Sequence, residues 1–252
     1  FSDLLESIDA SKEDLKAMRL IAGDGYSIEI SEPVLKNRQI ILAYEINGEP
    51  LPDKVKPVRV IIPEERAMYW IKNLTKINII EMVKTVDIDS LVVLETAVNQ
   101  VEKVDYTYYE SEDKAVNVAN LVDQIGLNTD KRTIAFTAAD GYEKDEQVDI
   151  FRDGYIKITG DHAPMFLSPD IPKGMYVKDV LFVGYGSTSL ASIDSAIKAF
   201  TTTTIEGTEG VNIAKLIKEA GLISADKYKL IASDGYSVEV SSKDMETGIV
   251  YL

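Results

Sequence analysis

A short phrase that occurs three times constrains the fold of this chain more than any other feature. Residues 19–31 and 229–241 share nine identities in thirteen positions, and residues 137–147 carry a looser copy of the same phrase. Identity at that level indicates an internal repeat, and repeats of this kind are copies of one supersecondary unit. The fold of the repeated unit is therefore needed before the role of any single residue can be interpreted.

Each copy of the phrase places Asp-Gly between two segments of strand-like pattern. In the first copy Tyr26, Ile28 and Ile30 alternate with polar residues, which is typical of a half-buried strand. Asp-Gly tolerates the positive φ of a tight hairpin turn. A metal-binding or catalytic role for the aspartates is the alternative, but a turn explains them with fewer assumptions. We assign structural turns to Asp24, Gly25, Asp140, Gly141, Asp234 and Gly235.

A helix is predicted ahead of each hairpin, because apolar residues recur there at the i, i+3, i+4, i+7 spacing of one helical face. The three faces are Phe1, Leu4, Leu5 and Ile8; Val118, Leu121, Val122 and Ile125; and Ile213, Leu216, Ile217 and Ala220. Asn117 and Asn212 stand at the N-cap positions of the second and third helices. Gly126 and Gly221 follow the same two helices, where a left-handed residue ends a helix.

Strand-like segments at residues 104–110 and 200–206 precede the second and third helices. A complete unit therefore consists of a strand, a helix, a hairpin and further strands, which predicts an α+β fold in tandem repeated units. We predict a first unit at 1–88 that lacks its leading strand, a second at 89–190 and a partial third at 191–252. Unpaired strand edges invite pairing, so we expect the incomplete units to associate with each other or with another molecule.

The charge and composition exclude several classes of function. A net charge of −15 argues against nucleic acid and anionic membrane surfaces as partners, because affinity for a polyanion comes mainly from lysine and arginine. No apolar run is long enough to span a membrane. Absence of cysteine fits a secreted or surface protein, so we predict an extracytoplasmic or cell-surface location.

The chain has no cysteine and one histidine, His162. This composition removes the ligands that zinc, copper, haem and iron–sulfur sites require, and leaves only carboxylate sites of the calcium or magnesium type. A Ser-His-Asp triad would depend wholly on His162, which lies in a loop-like stretch where a solvent-facing histidine is expected.

Residues 41–80 contain the most specific motif in the chain. Asn47-Gly48 is the strongest short hairpin signal, and Val58, Val60 and Ile62 alternate toward a core. The motif residues are Leu42, Ala43, Tyr44, Asn47, Gly48, Pro50 and Leu51, then Pro57, Arg59 and Pro63, then Lys72, Asn73, Leu74, Thr75 and Ile77.

This order of motifs resembles the oxidoreductase molybdopterin-binding domain of the sulfite-oxidase class. The resemblance covers the first unit well, the second partly and the third as far as its hairpin. It implies a mixed-sheet sulfite-oxidase-like fold that holds a pyranopterin on basic and glycine-rich segments. Lys72 matches the lysine that contacts the cofactor in the family, and Lys178 is its counterpart in the second unit. Arg59 and Arg66 are the neighbouring candidate cofactor-binding residues.

The chain departs from the family pattern at the catalytic positions. The family binds molybdenum through a cysteine thiolate, and this chain has none. Asn73 stands where the family has tryptophan. Glu64 and Glu65 stand where it has a small-residue loop, and carboxylates there would repel a pterin phosphate.

Weaker motifs add little to this interpretation. Residues 184–189 lack the third glycine of a dinucleotide fingerprint, and Ser195 and Lys198 match S-x-x-K without its companion motifs. Tyr106, Tyr108 and Tyr109 form a cluster. Strand tyrosines usually pack, but exposed ones also bind a sugar, a peptide or a flat ring.

We therefore predict a non-catalytic, molybdopterin-oxidoreductase-like binding or structural module, without a bound cofactor. Its partner would be a small molecule, a glycan or a protein. Two alternatives stay open. The chain could be part of a molybdopterin-dependent oxidoreductase whose cofactor segment lies upstream, in which case molybdopterin is its cofactor, or it could be a spacer in a surface array or an adhesion protein.

Overall fold

A computed structural model describes residues 1–81, 87–127 and 132–252. The fold is mixed α and β, with most regular residues in strands of several sheets, which agrees with the predicted α+β class. The chain divides into two compact units, Phe1–Met82 and Val83–Leu252. The three-part division by sequence repeat stays a prediction. No helix in the described part of the chain has the length and apolar character needed to cross a membrane.

The described part of the first unit contains a three-stranded main sheet, two strand pairs and two short helices. The helices are α1 (Ser2–Glu6) and α2 (Glu32–Asn37), with 3₁₀ turns at Lys12–Asp14 and Ala67–Tyr69. The strands are β1 (Leu15–Ala22), β2 (Ser27–Ser31), β3 (Ile41–Ala43), β4 (Glu45–Ile46), β5 (Glu49–Pro50), β6 (Arg59–Ile61) and β7 (Leu74–Glu81). The main sheet has the order β2-β1-β7 and is antiparallel throughout.

The core of the first unit lies on one face of this sheet. The alternation of β2 buries Ile28 and Ile30, as a half-buried strand requires. Leu20 of β1, Leu35 of α2 and Val60 of β6 complete the same apolar cluster. The segment between α2 and β7 therefore covers the hairpin of β1 and β2.

The second unit holds the remaining elements. Its helices are α3 (Leu94–Val98), α4 (Val118–Gln124), α5 (Val148–Arg152), α6 (Ile193–Ala199), α7 (Ile213–Glu219) and α8 (Ser242–Thr247), with a 3₁₀ turn at Lys173–Met175. Its strands are β8 (Ser90–Val93), β9 (Lys103–Tyr108), β10 (Ser111–Asn117), β11 (Thr133–Ala138), β12 (Glu143–Gln147), β13 (Tyr155–Lys157), β14 (Met165–Leu167), β15 (Val180–Tyr185), β16 (Thr188–Ala191), β17 (Thr202–Ile205), β18 (Thr208–Asn212), β19 (Lys227–Ile231), β20 (Ser237–Ser241) and β21 (Ile249–Val250).

The described residues of the second unit form four sheets. A five-stranded sheet has the order β12-β11-β15-β16-β8, in which β8 runs parallel to β16. A four-stranded sheet has the order β14-β13-β10-β9, and smaller sheets pair β17-β18-β21 and β19-β20. The larger apolar cluster contains Phe136, Phe151 and Phe166, with ring centroids 4.8 to 5.6 Å apart, and the rings of Phe136 and Phe166 are stacked. A second cluster joins β15 and α6 to β18 and α7.

Two of the predicted helices form as their sequences require. Asn117 Oδ1 accepts a hydrogen bond from the backbone N–H of Asn120, and Asn212 Oδ1 accepts one from Lys215, so both asparagines act as N-caps. Gly126 and Gly221 follow these helices with φ of 65° and 79°.

The first predicted helix is shorter than its apolar spacing indicated. α1 ends at Glu6, and of the four residues expected on one face only Leu5 is fully buried. Ser7 is the C-cap of α1, and Ile8 and Asp9, which has a φ of 54°, lie in the turn that follows. Leu4 and Ile8 are consequently exposed.

Candidate functional site

The three Asp-Gly-Tyr turns share one set of hydrogen bonds. Oδ1 of each aspartate accepts from the tyrosine N–H two residues later, at 3.0 Å for Asp24 and at 2.9 Å for Asp140 and Asp234. The glycines have φ of 84°, 85° and 88°, a backbone conformation that side chains rarely adopt. These aspartates hold turns, and within the described residues no cluster of acidic or histidine side chains could hold a metal ion.

The motif between residues 41 and 80 builds the segments that carry the candidate cations of the first unit. Asn47 and Gly48 have φ of 54° and 79° and turn β4 into β5. The N–H of Val60 donates to the carbonyl of Ile71 at 2.8 Å. β6 therefore lies beside residues 71–74, so Arg59 and Lys72 are on neighbouring segments.

Arg59 packs against an aromatic ring instead of pointing freely into solvent. Its guanidinium carbon lies 6.0 Å from the centre of the Trp70 ring, and the indole N–H of Trp70 donates to the carbonyl of Ile62 at 2.9 Å. The Nε of Arg59 is buried without a hydrogen-bond acceptor. The guanidinium of Arg59 therefore packs against Trp70, and its Nε–H is a buried donor without an acceptor.

Lys72 and Arg66 are exposed on separate features of the first unit. Arg66 precedes the 3₁₀ turn at Ala67–Tyr69, and Lys72 follows the buried Ile71. Arg59 and Lys72 therefore lie on neighbouring segments, and Arg66 lies on the turn that leads to Trp70.

Arg38 is a residue whose role the sequence did not reveal. Its Nε donates to Glu65 at 3.0 Å, and its Nη1 lies 3.5 Å from Glu64. The two glutamates that were expected to repel a phosphate therefore bind a cation that could otherwise have attracted one. The sequence does not predict this pair, because Arg38 and Glu64 are 26 positions apart in the chain.

Asn73 has a structural role that its neighbour Lys72 does not share. Its φ is 53°, and its carbonyl accepts the N–H of Gly23 at 2.9 Å, which ties the start of β7 to the first turn. Asp179 repeats this in the second unit, with a φ of 46° and a bond from Ala139 of the same length. Asparagine and aspartate tolerate the left-handed conformation better than a tryptophan would.

A cluster of tyrosines forms the most distinctive polar surface of the second unit. Ring centroids are 5.4 Å apart for Tyr106 and Tyr155, 4.7 Å for Tyr108 and Tyr109, and 6.3 Å for Tyr108 and Tyr176. Burial, followed by neighbouring tyrosines, raises the pKa of Tyr106, Tyr108 and Tyr176 above the usual range. These hydroxyls are therefore neutral hydrogen-bonding groups at physiological pH.

Two lysines flank the tyrosine cluster. Nζ of Lys173 lies 4.3 Å from the ring centre of Tyr109, whose side chain is exposed. Nζ of Lys157 lies 5.6 Å from the ring centre of Tyr108. A cation over an aromatic face is attracted to the ring, so these contacts orient the outer rings of the cluster.

Lys157 is buried and paired with Asp113. Its Nζ donates to Asp113 at 3.2 Å and to the carbonyls of Thr159 and Asp161 at 2.7 and 2.8 Å. The hydroxyl of Ser111 donates to Asp113, and this bond together with Lys157 lowers the pKa of that carboxyl. Because every donor of Lys157 has an acceptor, the pair is a structural element and not a free reactive amine.

A second buried ion pair lies on β12. Lys144 Nζ is 3.2 Å from Glu146, both side chains are almost fully buried, and Nζ also donates to the carbonyl of Met175 at 2.7 Å. By alignment of the Asp-Gly-Tyr turns, these positions correspond to Ile28 and Ile30 in the first unit. The two hairpins therefore share a backbone but differ in the chemistry of their buried faces.

His162 forms an ion-pair network at the surface. Its Nδ1 lies 3.1 Å from Asp179, whose other carboxylate oxygen accepts from Lys198 at 3.0 Å. Burial favours a higher pKa for Asp179, but the bonds from Lys198 and His162 lower the pKa below its usual value. In the described parts of the chain no serine hydroxyl bonds to His162, so a Ser-His-Asp triad is not assembled.

The donor set of the first unit does not fit a molybdenum centre of the family type. A thiolate ligand is absent from these 252 residues, Arg38 is held by two carboxylates, and Lys72 and Arg66 are exposed.

Comparison with known proteins gives one match. No curated protein and no solved structure matches the chain. The model of one family, described as the oxidoreductase molybdopterin binding domain, matches residues 1–86. That range includes all of the first unit and the whole motif from which the resemblance was recognised. The similarity to this family covers residues 1–86 of the 252 residues.

Proposed function

We propose that this chain is a non-catalytic binding or structural module that keeps the fold of a sulfite-oxidase-like molybdopterin-binding domain without its metal centre. The observation that carries this proposal is the binding of Arg38 by Glu64 and Glu65. The side chain of Glu65 is 20% exposed and that of Glu64 is 77% exposed, so Glu65 is the firmer partner, and an incoming phosphate would have to displace it to reach the guanidinium.

We further propose that the fold recurs in tandem, with units at 1–88, 89–190 and 191–252. The support is the element order of hairpin followed by a short helix, which occurs for β1, β2 and α2, for β11, β12 and α5, and for β19, β20 and α8. The shared turn hydrogen bonds and the matched left-handed residues Asn73 and Asp179 support the same proposal.

The tyrosine cluster is the surface that best supports a binding role. Its flat rings combine apolar faces with neutral hydroxyls, and this combination suits a small molecule, a glycan or a protein segment. The net charge of −15 favours a neutral or cationic partner over a polyanion. An extracytoplasmic location is part of the proposal and is supported by the absence of cysteine.

Elemental analysis tests the proposed loss of the metal centre. The chain is purified from a host that makes molybdopterin, beside a catalytic member of the family as a loading control. We expect the control to contain molybdenum and a released pterin with its usual fluorescence, and this chain to contain neither. Stoichiometric molybdenum in this chain would support the alternative that it is part of a molybdopterin-dependent oxidoreductase.

A further inference from the structure

The hairpin of β9 and β10 is longer than its counterpart, the hairpin of β17 and β18. Both hairpins lead into a helix with an asparagine N-cap, Asn117 in one and Asn212 in the other. Counted from the pair next to that cap, β9 and β10 form six residue pairs, whereas β17 and β18 form four. Residues 107–112 are therefore an extension that the shorter hairpin does without.

This extension carries the outer part of the tyrosine cluster. Tyr108 and Tyr109 lie on it, and Tyr109 is 63% exposed. Tyr106 lies at the last pair that the two hairpins share, where the shorter hairpin has Ile205. The hairpin fold thus does not require the aromatic cluster, and exposed apolar surface of this kind favours a binding role.

The backbone at the tip of the longer hairpin supports the same interpretation. Tyr109 has a φ of 54°, a left-handed conformation that bulky residues rarely adopt. The shorter hairpin has Glu206 and Gly207 at its tip, with φ of 50° and 84°. Residues in unfavourable backbone conformations are concentrated at ligand-binding positions. The ring of Tyr109, and not its backbone preference, therefore explains this residue.

The rings of Tyr108 and Tyr109 form a corner. Their planes meet at 79°, and their centroids are 4.7 Å apart. The ring of Tyr176 lies 6.3 Å from that of Tyr108, and its hydroxyl shares a hydrogen bond with the hydroxyl of Tyr106. The inner rings therefore hold Tyr108 as a wall beside the exposed ring of Tyr109.

The charges around this corner favour a neutral ligand. Nζ of Lys173 lies 4.3 Å from the ring centre of Tyr109, so a cationic ligand would meet a like charge there. Glu110 and Glu112 are exposed on the same extension, and the net charge of −15 also disfavours an anion. A neutral ligand avoids both repulsions.

A pyranose ring combines the properties that the corner requires. One of its faces carries C–H groups, which pack on an aromatic ring, and its edge carries hydroxyls that donate and accept hydrogen bonds. Tyrosine hydroxyls and the ammonium of Lys173 are suitable partners for those hydroxyls. A flat aromatic ligand would use the ring faces alone.

We propose that the corner of Tyr108 and Tyr109 binds one pyranose unit of a neutral oligosaccharide. The C–H face of the sugar packs on the ring of Tyr109, Tyr108 flanks its edge, and Lys173 donates a hydrogen bond to a sugar hydroxyl. This inference rests on the proposed binding role of the tyrosine cluster. It is independent of the proposed loss of the metal centre, because the cluster lies in the second unit and the family match covers residues 1–86.

Calorimetric titration of the full chain with cellohexaose and chitohexaose tests the proposal. Both are neutral chains of pyranoses whose ring substituents are equatorial, so both faces of each ring carry C–H groups. We expect saturable binding of at least one of them, and binding of the anionic hexagalacturonate that is at least about tenfold weaker. Adenosine is the flat-ring probe and should also bind at least about tenfold more weakly. Molybdenum is measured on the same preparation, so the two proposals are tested separately.

Three variants locate the binding site. Tyr109→Asn removes the ring and suits the left-handed conformation, so the chain should fold and bind at least about tenfold more weakly. Tyr109→Phe keeps the ring and should bind within about threefold of the unaltered chain. Tyr44→Asn is the matched control, because Tyr44 is 72% exposed in the first unit, and it should bind as the unaltered chain does. Circular dichroism checks that the variants fold.

Three results would overturn the proposal. The first is the failure of the unaltered chain to bind either neutral hexaose at about 10 mM, which needs no variant. The second is equal affinity of the unaltered chain and a folded Tyr109→Asn variant. The third is an affinity for hexagalacturonate or adenosine that equals or exceeds that for the neutral hexaoses, which would assign the corner to an anion or to a flat ring.

Discussion

At the scale of single residues, a glycine is required for one of two reasons: a positive φ, or a neighbouring atom too close for a Cβ. Gly141 has a φ of 85°, and a Cβ added there would meet no atom within 4 Å. Gly160 has a φ of 71°, and its Cβ would lie 2.1 Å from Asp113 Oδ1. The turn glycines are therefore required by conformation alone, whereas Gly160 also makes room for the carboxylate that pairs with Lys157.

Replacing a turn glycine should cost stability through the backbone only. We expect Gly141→Val to lower the free energy of unfolding by roughly 1 to 3 kcal/mol, because valine resists positive φ. The same should hold for Gly25 and Gly235. Urea denaturation measures the loss. Gly174→Val is the control, since Gly174 has open space and no positive φ. Equal stability of the two variants would contradict the account of the turns.

At the scale of elements, the sequence was sufficient wherever local chemistry decides the structure. Asp-Gly and Asn-Gly predict the turns, and Asn117 and Asn212 predict helix starts, because each acts on backbone groups within a few residues. The short helices α2, α5 and α8 were not predicted. Each spans only five or six residues, which is too short for a periodic apolar pattern.

The candidate site was less accessible to sequence reasoning than the hairpins. Lys72 and Arg59 were assigned by resemblance, and those assignments stay predictions. The pairing of Arg38 with Glu64 and Glu65, and of Lys157 with Asp113, depends on contacts across 26 to 44 residues of chain. No single-sequence pattern encodes such contacts, because they arise only when strands and loops have packed.

The buried pair of Asp113 and Lys157 joins strands β10 and β13 and should make stability depend on pH. The pKa of Asp113 is lowered in the folded state, so its contribution is present above the unfolded value of about 4 and is lost as pH falls through the folded pKa. We expect Asp113→Asn to lower the melting temperature at pH 7, and the difference from the unaltered chain to shrink below about pH 4.

Asp105→Asn provides the matched control for this pH dependence. Asp105 pairs with Lys114 on the same sheet, but its side chain is 88% exposed. Exposed ion pairs contribute little to stability, so this variant should melt like the unaltered chain at every pH. A melting difference for Asp113→Asn that stays constant from pH 7 to pH 3 would contradict the assignment.

At the scale of the whole molecule, residues 200–252 are part of a core and not a detached tail. Val211, Leu216 and Ala220 pack in one cluster with Leu181 and Phe182 of β15. The sequence predicted a partial third unit in this range. The cluster shows that part of this range is packed against strands that precede it.

Deleting residues 200–252 should therefore destabilise what remains. A buried valine or leucine contributes about 1.5 to 3 kcal/mol, and exposed Leu181 and Phe182 would also favour association. We expect a lower melting temperature or a changed oligomeric state, measured by calorimetry and sedimentation. Deletion of Tyr251 and Leu252 alone, both exposed, is the control. A truncated protein that melts and sediments like the intact chain would show that the range is dispensable.

The ion pair of Lys144 and Glu146 also has a consequence for how a chain with hairpins of similar backbone avoids misassembly. If the hairpin of β11 and β12 entered the core that receives β1 and β2, it would carry two charges into a space shaped for Ile28 and Ile30. Burying charges away from their own partners costs several kcal/mol. Exchange of segments between similar units is a characteristic folding error of repetitive chains. The buried pair of Lys144 and Glu146 should therefore disfavour entry of this hairpin into the core of the first unit.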